Sequence, residues 1–180
     1  MLMLHPELRQ ARDEDVPALR LLVNAAYEEL ADLGLNFTGT YQDEAITRDR
    51  MRKAEVFLLT RDSKLIASIS LSVKDIGEGD TSCLYINQLA VLPEFKRQGI
   101  GTYLLKFAEE RAMFFGLERL RLDTAIPATH LVEVYRTMGY QEIDTVQWKG
   151  KTYSSYIMEK RLCSLKSDAT AQMQSKPVSD

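Results

Sequence analysis

Apolar residues recur at Val16, Leu19, Val23, Ala26 and Leu30, steps of three and four that line one face of a helix. Asp13 stands ahead of the run as its expected N-cap, Pro17 falls in the first turn where a missing N–H is tolerated, and Gly34 marks the end. Leu8 to Ala11 reads as a short strand before it. Asn36-Phe37-Thr38-Gly39-Thr40-Tyr41 carries no period and reads as a loop, and Asp43 to Lys53 as a second, charge-rich helix. The two helices would together form a lid over whatever site the later segments build.

The period then changes to two. Val56 to Thr60 and Lys64 to Val73 read as strands turning at Asp62-Ser63, and in the second Leu65, Ala67, Ile69, Leu71 and Val73 alternate with Ser68, Ser70 and Ser72. That alternation predicts a sheet with one more polar face. Lys74 to Thr81 is a polar, glycine-containing loop, and Cys83 to Leu92 is the next strand. A helical pattern follows through Leu104, Phe107, Ala108, Arg111, Ala112 and Phe115 and closes at Gly116. Leu120 to Thr124 returns to strand, so strand, helix and strand make a crossover with parallel pairing. Thr129 to Met138 gives a short helix with Leu131, Val134 and Met138 on one face, ended by Gly139. Gln141 to Trp148 and Thr152 to Arg161 close the pattern as a hairpin around Lys149-Gly150. Ser164 to Asp180 is polar and aperiodic, and is expected to be a frayed tail behind one domain at residues 1–163. The expected fold class is α/β (α+β), a single mixed, mostly antiparallel sheet with a central parallel pair flanked by helices.

Bulk properties narrow the function classes. With 180 residues, 45% apolar and 27% charged, the chain suits one well-buried core. A net charge of −3 offers no general attraction to nucleic acid. No apolar run approaches the ~20 residues that span a bilayer, and His5, Pro6 and Glu7 break the start where a signal peptide needs an apolar stretch. The expectation is a cytoplasmic protein with no membrane partner. Cys83 and Cys163 lack metal-ligand spacing and read as free thiols; with His5 and His130 as the other soft ligands, no metal is expected.

The chemistry begins at Lys96-Arg97-Gln98-Gly99-Ile100-Gly101-Thr102, between a strand stopped by Pro93 and a helix that starts at once. The first turn of a helix has backbone N–H groups without carbonyl partners, and these attract phosphate oxygens. Gly99 and Gly101 let that backbone come close; Lys96 and Arg97 add charge at the rim. A Walker loop would need Gly-Lys-Ser/Thr after its glycines, and the lysine here precedes them. A dinucleotide fingerprint would need glycine at Leu104, although Asp123 lies near the distance of a ribose-binding acid, so that alternative stays open.

The turn resembles the Gln/Arg-x-x-Gly-x-Gly/Ala signature of the GNAT superfamily of N-acetyltransferases, with Lys96 in the leading position. Tyr135-Arg136-Thr137-Met138-Gly139-Tyr140 is similar to that family's Tyr-x-x-x-Gly-Phe/Tyr segment, and the element order matches its fold over roughly Leu8 to Arg161. The sequence departs from the family at Ala128, where asparagine is usual, at Leu131, where alanine is usual, and at Gln88, where several relatives carry glutamate. The resemblance implies acetyl-CoA as cosubstrate, its pyrophosphate on the residue 96–102 turn, its pantetheine arm paired with backbone at Leu89 and Val91, and His130 on the same side. It implies the Val91 N–H as the group polarising the acetyl carbonyl and Tyr135 as the acid that protonates the leaving thiolate. A phenol of pKa about 10 can donate to a thiolate whose acid lies near 8.5.

Transfer would go directly to a primary amine of a small molecule or peptide, because neither cysteine lies in the matched motifs. The other class of function that fits is an acyl-CoA sensor without turnover. For the base that takes the amine's proton, Glu55, Glu78, Asp80, Asp123 and His130 are candidates. Asn36 to Tyr41, Lys74 to Thr81 and Gln147 to Tyr153 are expected to line the acceptor side, with Phe37, Tyr41 and Trp148 suiting an apolar amine. Trp148, Tyr153 and Tyr156 suit a homodimer contact and a monomer core equally.

Overall fold

The computed structural model describes residues 6–77 and 82–162. Strands β1 (Glu7–Gln10), β2 (Glu55–Arg61), β3 (Lys64–Asp75), β4 (Ser82–Val91), β5 (Arg119–Ala125), β6 (Gln141–Val146) and β7 (Ser155–Arg161) form one sheet in the order β1-β2-β3-β4-β5-β7-β6. Neighbours are antiparallel except β4 and β5, which run parallel. Helices α1 (Val16–Asp32), α2 (Glu44–Lys53), α3 (Ile100–Phe114) and α4 (Thr129–Thr137) flank it. The expected mixed sheet with its central parallel pair is the observed one. Cys163, residues 164–180, His5, Glu78 and Asp80 lie outside the described residues.

The two faces of the sheet are covered by different helices, and strand alternation decides which residue meets which. Helix α3 buries Leu104, Leu105, Ala108 and Ala112 with Leu59, Ile69, Leu71 and Leu122. Helix α1 buries Leu19, Leu22, Val23 and Ala26 with Val56, Leu58 and Ala90. Removing such side chains from water contributes about 1.5–3 kcal/mol each, so α1 is a fixed layer of the core. This corrects the reading of α1 as a lid; α2 buries only Thr47. The more polar face is a covered one: Ser68 and Ser70 sit across from Leu58 and Val56, share their face, and are only 2% and 6% exposed. They are small polar residues under helices, not a solvated surface.

Helix starts show where local chemistry differed from the pattern. Asp13 to Asp15 form a 3-10 turn, and the residue that organises it is Asp15. Its carboxylate accepts from the Arg12 backbone N–H at 2.7 Å and from the Arg9 guanidinium at 2.7 and 2.8 Å. Asp43 does cap α2, accepting from the Ile46 N–H at 2.8 Å. In α4 the buried residue is Val132, whereas Val134 is exposed. Asp62 and Ser63 take left-handed φ values of 52° and 62°, the geometry that a two-residue hairpin turn demands.

Two irregularities position the site. Ser70 pairs with Gln88 and Leu71 with Ile86, which leaves Asn87 as an extra residue in β4, a bulge that re-aims the chain. The parallel pairing covers only Leu84↔Leu120 to Ile86↔Leu122. Past that point β4 runs on to Val91 without β5 beside it, and β5 continues to Ala125 against β7. The sheet therefore opens between its two parallel strands.

Candidate active site

Two chambers occupy this opening. A groove of about 530 Å³ runs along the end of β4 to the start of α3, lined by Leu89, Val91, Lys96, Arg97, Gly99, Gly101, Thr102, His130 and Tyr135 among others. A cavity of about 390 Å³ lies on the other side of the bulge, with Arg50, Lys74, Asn87, Gln88, Trp148 and Lys151 in its walls. Tyr27, Phe37, Leu89, Asp123 and Tyr135 line both. They mark the passage between the chambers.

The groove's far end is backbone. Gly99 is the N-cap of α3 at φ +79° and Arg97 precedes it at φ +60°. The chain thereby turns so that the first N–H groups of α3 face outward, a ready anion site. A Cβ added at Gly101 would meet nothing within 4 Å, so the protein leaves the space beside this glycine clear. Not every residue of the motif faces the groove. Ile100 is 6% exposed and packs in the core. Gln98 turns to the Glu94 carbonyl at 3.1 Å and to Arg61 at 3.4 Å. The Lys96 ammonium pairs with Glu29 at 2.8 Å and holds that carboxyl below its ordinary range. Leu104, the position a third glycine would take in a dinucleotide fold, is fully buried core.

Along the groove the exposed edge of β4 offers its own backbone. Tyr27 donates to the Leu89 carbonyl at 3.2 Å, so the Leu89 backbone groups point into the opening, and strand alternation aims those of Val91 the same way. Burial pushes the Tyr27 phenol up to about 12, so it remains a donor at neutral pH. Across the groove, the buried Thr124 Oγ1 has no hydrogen-bond partner. A buried hydroxyl left unpaired costs about 1–3 kcal/mol.

Tyr135 closes the passage. Its ring packs edge-on to Tyr140 with centroids 5.9 Å apart, which fixes its direction. Burial, followed by the nearby Tyr27 and Asp123, raises its pKa well above the usual phenol value. The hydroxyl therefore stays protonated throughout the physiological range. Asp123 sits beside it on β5, accepting from the Tyr85 hydroxyl at 2.7 Å and the Trp148 indole N–H at 3.0 Å. One bond on each oxygen leaves lone pairs to spare. Of the other candidate bases, Glu55 is tied to Arg111 at 2.6 Å and lines neither chamber, and His130 lies in the groove only.

Distant segments build the cavity. The Asn36 side chain donates to the Gly150 carbonyl at 2.8 Å and accepts from the Thr152 N–H at 2.9 Å, pinning the loop after α1 to the loop between β6 and β7. This brings Phe37, Thr38 and Gly39 together with Trp148, Lys151 and Tyr153, as the sequence suggested; Tyr41 instead lies 57% exposed on the outside. Trp148 and Tyr153 fall between the strands of the last hairpin; Tyr153 is buried, whereas Trp148 is 43% exposed at the cavity wall. Gln88 donates to the Gln42 carbonyl oxygen at 3.0 Å, and Gln42 to Thr47 at 3.0 Å, a neutral amide chain where an acid would have offered a base. The residues missed by sequence reading are Tyr27 and Arg50. Tyr27 hid beside the apolar stripe of α1, and Arg50 among the charges of α2.

Residues 19–140 match the family model described as Acetyltransferase (GNAT) family. The chain belongs to the GNAT family. It is 30% identical over 137 residues to the S-alkylcysteine N-acetyltransferase of Bacillus subtilis (strain 168), covering 74% of this chain and 77% of that one. It is 29% identical over 160 residues to the S-(2-succino)cysteine N-acetyltransferase of the same organism, covering 87% and 96%. In fold it is similar to a GNAT family acetyltransferase from Elizabethkingia anophelis whose structure has acetyl-CoA bound, with a TM-score of 0.65, 16% identity and coverage of 87% and 98%. The GNAT chain is thus an N-acetyltransferase by family, with the two chambers as its candidate donor and acceptor sites.

Proposed function

We propose that this GNAT protein transfers an acetyl group from acetyl-CoA directly to the amine of a small molecule, with the groove holding the donor and the cavity the acceptor. The observation that carries this reading is the shared wall: Tyr135, Leu89 and Asp123 line both chambers, so a group bound in each meets the other there. The groove's residues fit CoA, whose diphosphate suits the amides around Gly99 and Gly101 and whose pantetheine arm suits the free edge of β4. Acetyl-CoA would supply the activated acyl group as a thioester.

The chain's own residues then divide the work. The Leu89 N–H, at the passage, is the donor for the developing oxyanion; Val91 lines only the groove, so the polarising role falls to Leu89. A preorganised donor of this kind is worth about 3 kcal/mol. The Tyr135 hydroxyl carries the proton for the departing thiolate. Asp123, with lone pairs to spare, holds the ammonium and accepts its proton, directly or through water. The cavity's volume is near the lower end of small-molecule sites, which favours an amino-acid-sized acceptor, and the two B. subtilis relatives are named for cysteines substituted on sulfur. The test is release of CoA thiol on adding acetyl-CoA with a panel of free amines that includes S-alkylcysteines. Saturable release supports transfer; tight acetyl-CoA binding with no release from any amine makes the protein a sensor instead.

A further inference from the structure

The cavity is lopsided in charge. Among the described residues its walls carry Arg50, Lys53, Lys74 and Lys151 against one carboxylate, Asp123. Lys53 is answered by Asp49 at 2.6 Å. The other three have no carboxylate partner among the described residues. Lys151 donates to the Asn36 carbonyl, the Thr38 hydroxyl and the Tyr41 hydroxyl at 2.8, 3.2 and 3.3 Å, all neutral groups that fix the ammonium without cancelling it. The Lys74 ammonium lies 3.3 Å from the centre of the Tyr85 ring.

Arg50 is the most informative of the three. Among the described residues it is held by one hydrogen bond, Nη2 to the carbonyl of the bulge residue Asn87 at 3.2 Å, and its Nε is enclosed without a partner. A guanidinium offers five donors in a planar fork. Here its hydrogen-bonding capacity is largely unspent, in a wall of a cavity. A cation with terminal N–H donors to spare in the wall of a hollow leaves room for an anion, and a planar fork favours a planar one.

Resting on the proposed function, we infer that the acceptor is a free α-amino acid, its carboxylate bound by Arg50 in the field of Lys151 and Lys74, with its amine directed to Asp123 at the passage. The two poles of the cavity then match the two poles of a zwitterion. A plain alkylamine satisfies only one of them. An amino acid linked through its carboxyl as an amide leaves Arg50 unanswered. The aromatic lining from Phe37, Trp148 and Tyr153 is left to take the side chain.

Paired acceptors test this without needing any variant. The probes are S-benzyl-L-cysteine, L-methionine and L-phenylalanine, each beside its own carboxamide. For wild type, kcat/KM should favour the acid over its carboxamide about 10- to 100-fold, the usual range for losing hydrogen bonds to a charged group. Arg50→Met should bring that ratio close to one by lowering only the acid's kcat/KM. Arg50→Lys, which keeps the charge and loses the fork, should fall between. A merely structural Arg50 would lower both acceptors together. Carboxamides equal to or better than the acids with wild type overturn the inference, as does an undiminished ratio in folded Arg50→Met. Titration of the same acids into CoA-loaded protein separates the two levels. No binding of any acid to protein that does bind CoA overturns this inference and leaves the donor site standing, whereas failure to bind CoA overturns the proposed function itself.

Discussion

The groove and the cavity differ in what builds them. The groove's polar donors are backbone, the first turn of α3, the unpaired edge of β4 and a left-handed glycine cap, all within the contiguous stretch Leu89 to Thr102, with side chains of α1 and α4 completing its walls. The cavity is side chain, assembled from α2, the β4 bulge, β5 and two loops that meet through Asn36. A diphosphate and a pantetheine arm are alike for every acyl-CoA, so backbone can read them and many side chains can change. An acceptor is recognised by its particular charges and shape, which only side chains at chosen points supply.

The sharpest blow to both regions at once is Tyr135→Phe, at the passage they share. Removing the proton donor should lower kcat about 10²- to 10³-fold for every acceptor, with the dissociation constant for CoA changed less than about threefold. Loss of CoA affinity in parallel with kcat would make Tyr135 a binding residue and erase the distinction between passage and groove.

The frame behind the cavity gives the next largest effect. Burial alone would raise the Glu159 carboxyl, but the guanidiniums of Arg121, Arg161 and Arg119 outweigh it and hold its pKa below the ordinary value. A depressed folded pKa contributes stability that is present above the unfolded value of about 4.3 and lost as pH falls through the folded one. Glu159→Gln leaves the partly buried Arg121, 2.7 Å away in the native pair, without its anion, and should cost about 2–4 kcal/mol at pH 7. The gap from wild type should shrink as the pH drops below about 4. Equal denaturation midpoints at pH 7 would show that the pairing of β5 and β7 does not depend on this ion pair.

Smaller effects separate groove from cavity. Gly101→Val meets no protein atom within 4 Å of its Cβ but fills the space beside the amides; it should weaken CoA about tenfold by titration while the melting temperature moves by only a few degrees, given a helix-propensity change below about 1 kcal/mol. The smallest effect is expected for Lys96→Met. Its ammonium is answered by Glu29 and is 36% exposed, so CoA affinity should fall no more than about threefold. A large loss there would mean that side-chain charge, and not backbone, dominates the groove.

The sequence revealed these regions unequally for the same reason. The turn at 96–102 and Tyr135 were legible because backbone recognition needs glycines and a helix start in immediate succession, and succession is what a sequence displays. Even so, adjacency hid direction: Gln98 and Ile100 share the motif and face away from the groove. Arg50 was invisible because its meaning comes from the Asn87 carbonyl, which only the bulge in β4 brings to it. The alternation at Ser68 and Ser70 showed a more polar face but not its cover, because period two cannot tell water from a covering helix. The boundary error at α1 was electrostatic, since Asp15 has Arg9 to bind and Asp13 does not.

In the proposed reaction acyl group and amine meet at the passage that Leu89 and Tyr135 both line. The structure of the acetyl-CoA complex tests it most directly. In that complex the diphosphate should lie on the amides following Gly99, the thioester oxygen on the Leu89 N–H, and the thioester sulfur about 3–4 Å from the Tyr135 hydroxyl. A diphosphate bound elsewhere, or a sulfur about 10 Å or more from that hydroxyl, beyond any hydrogen-bond reach, would contradict it.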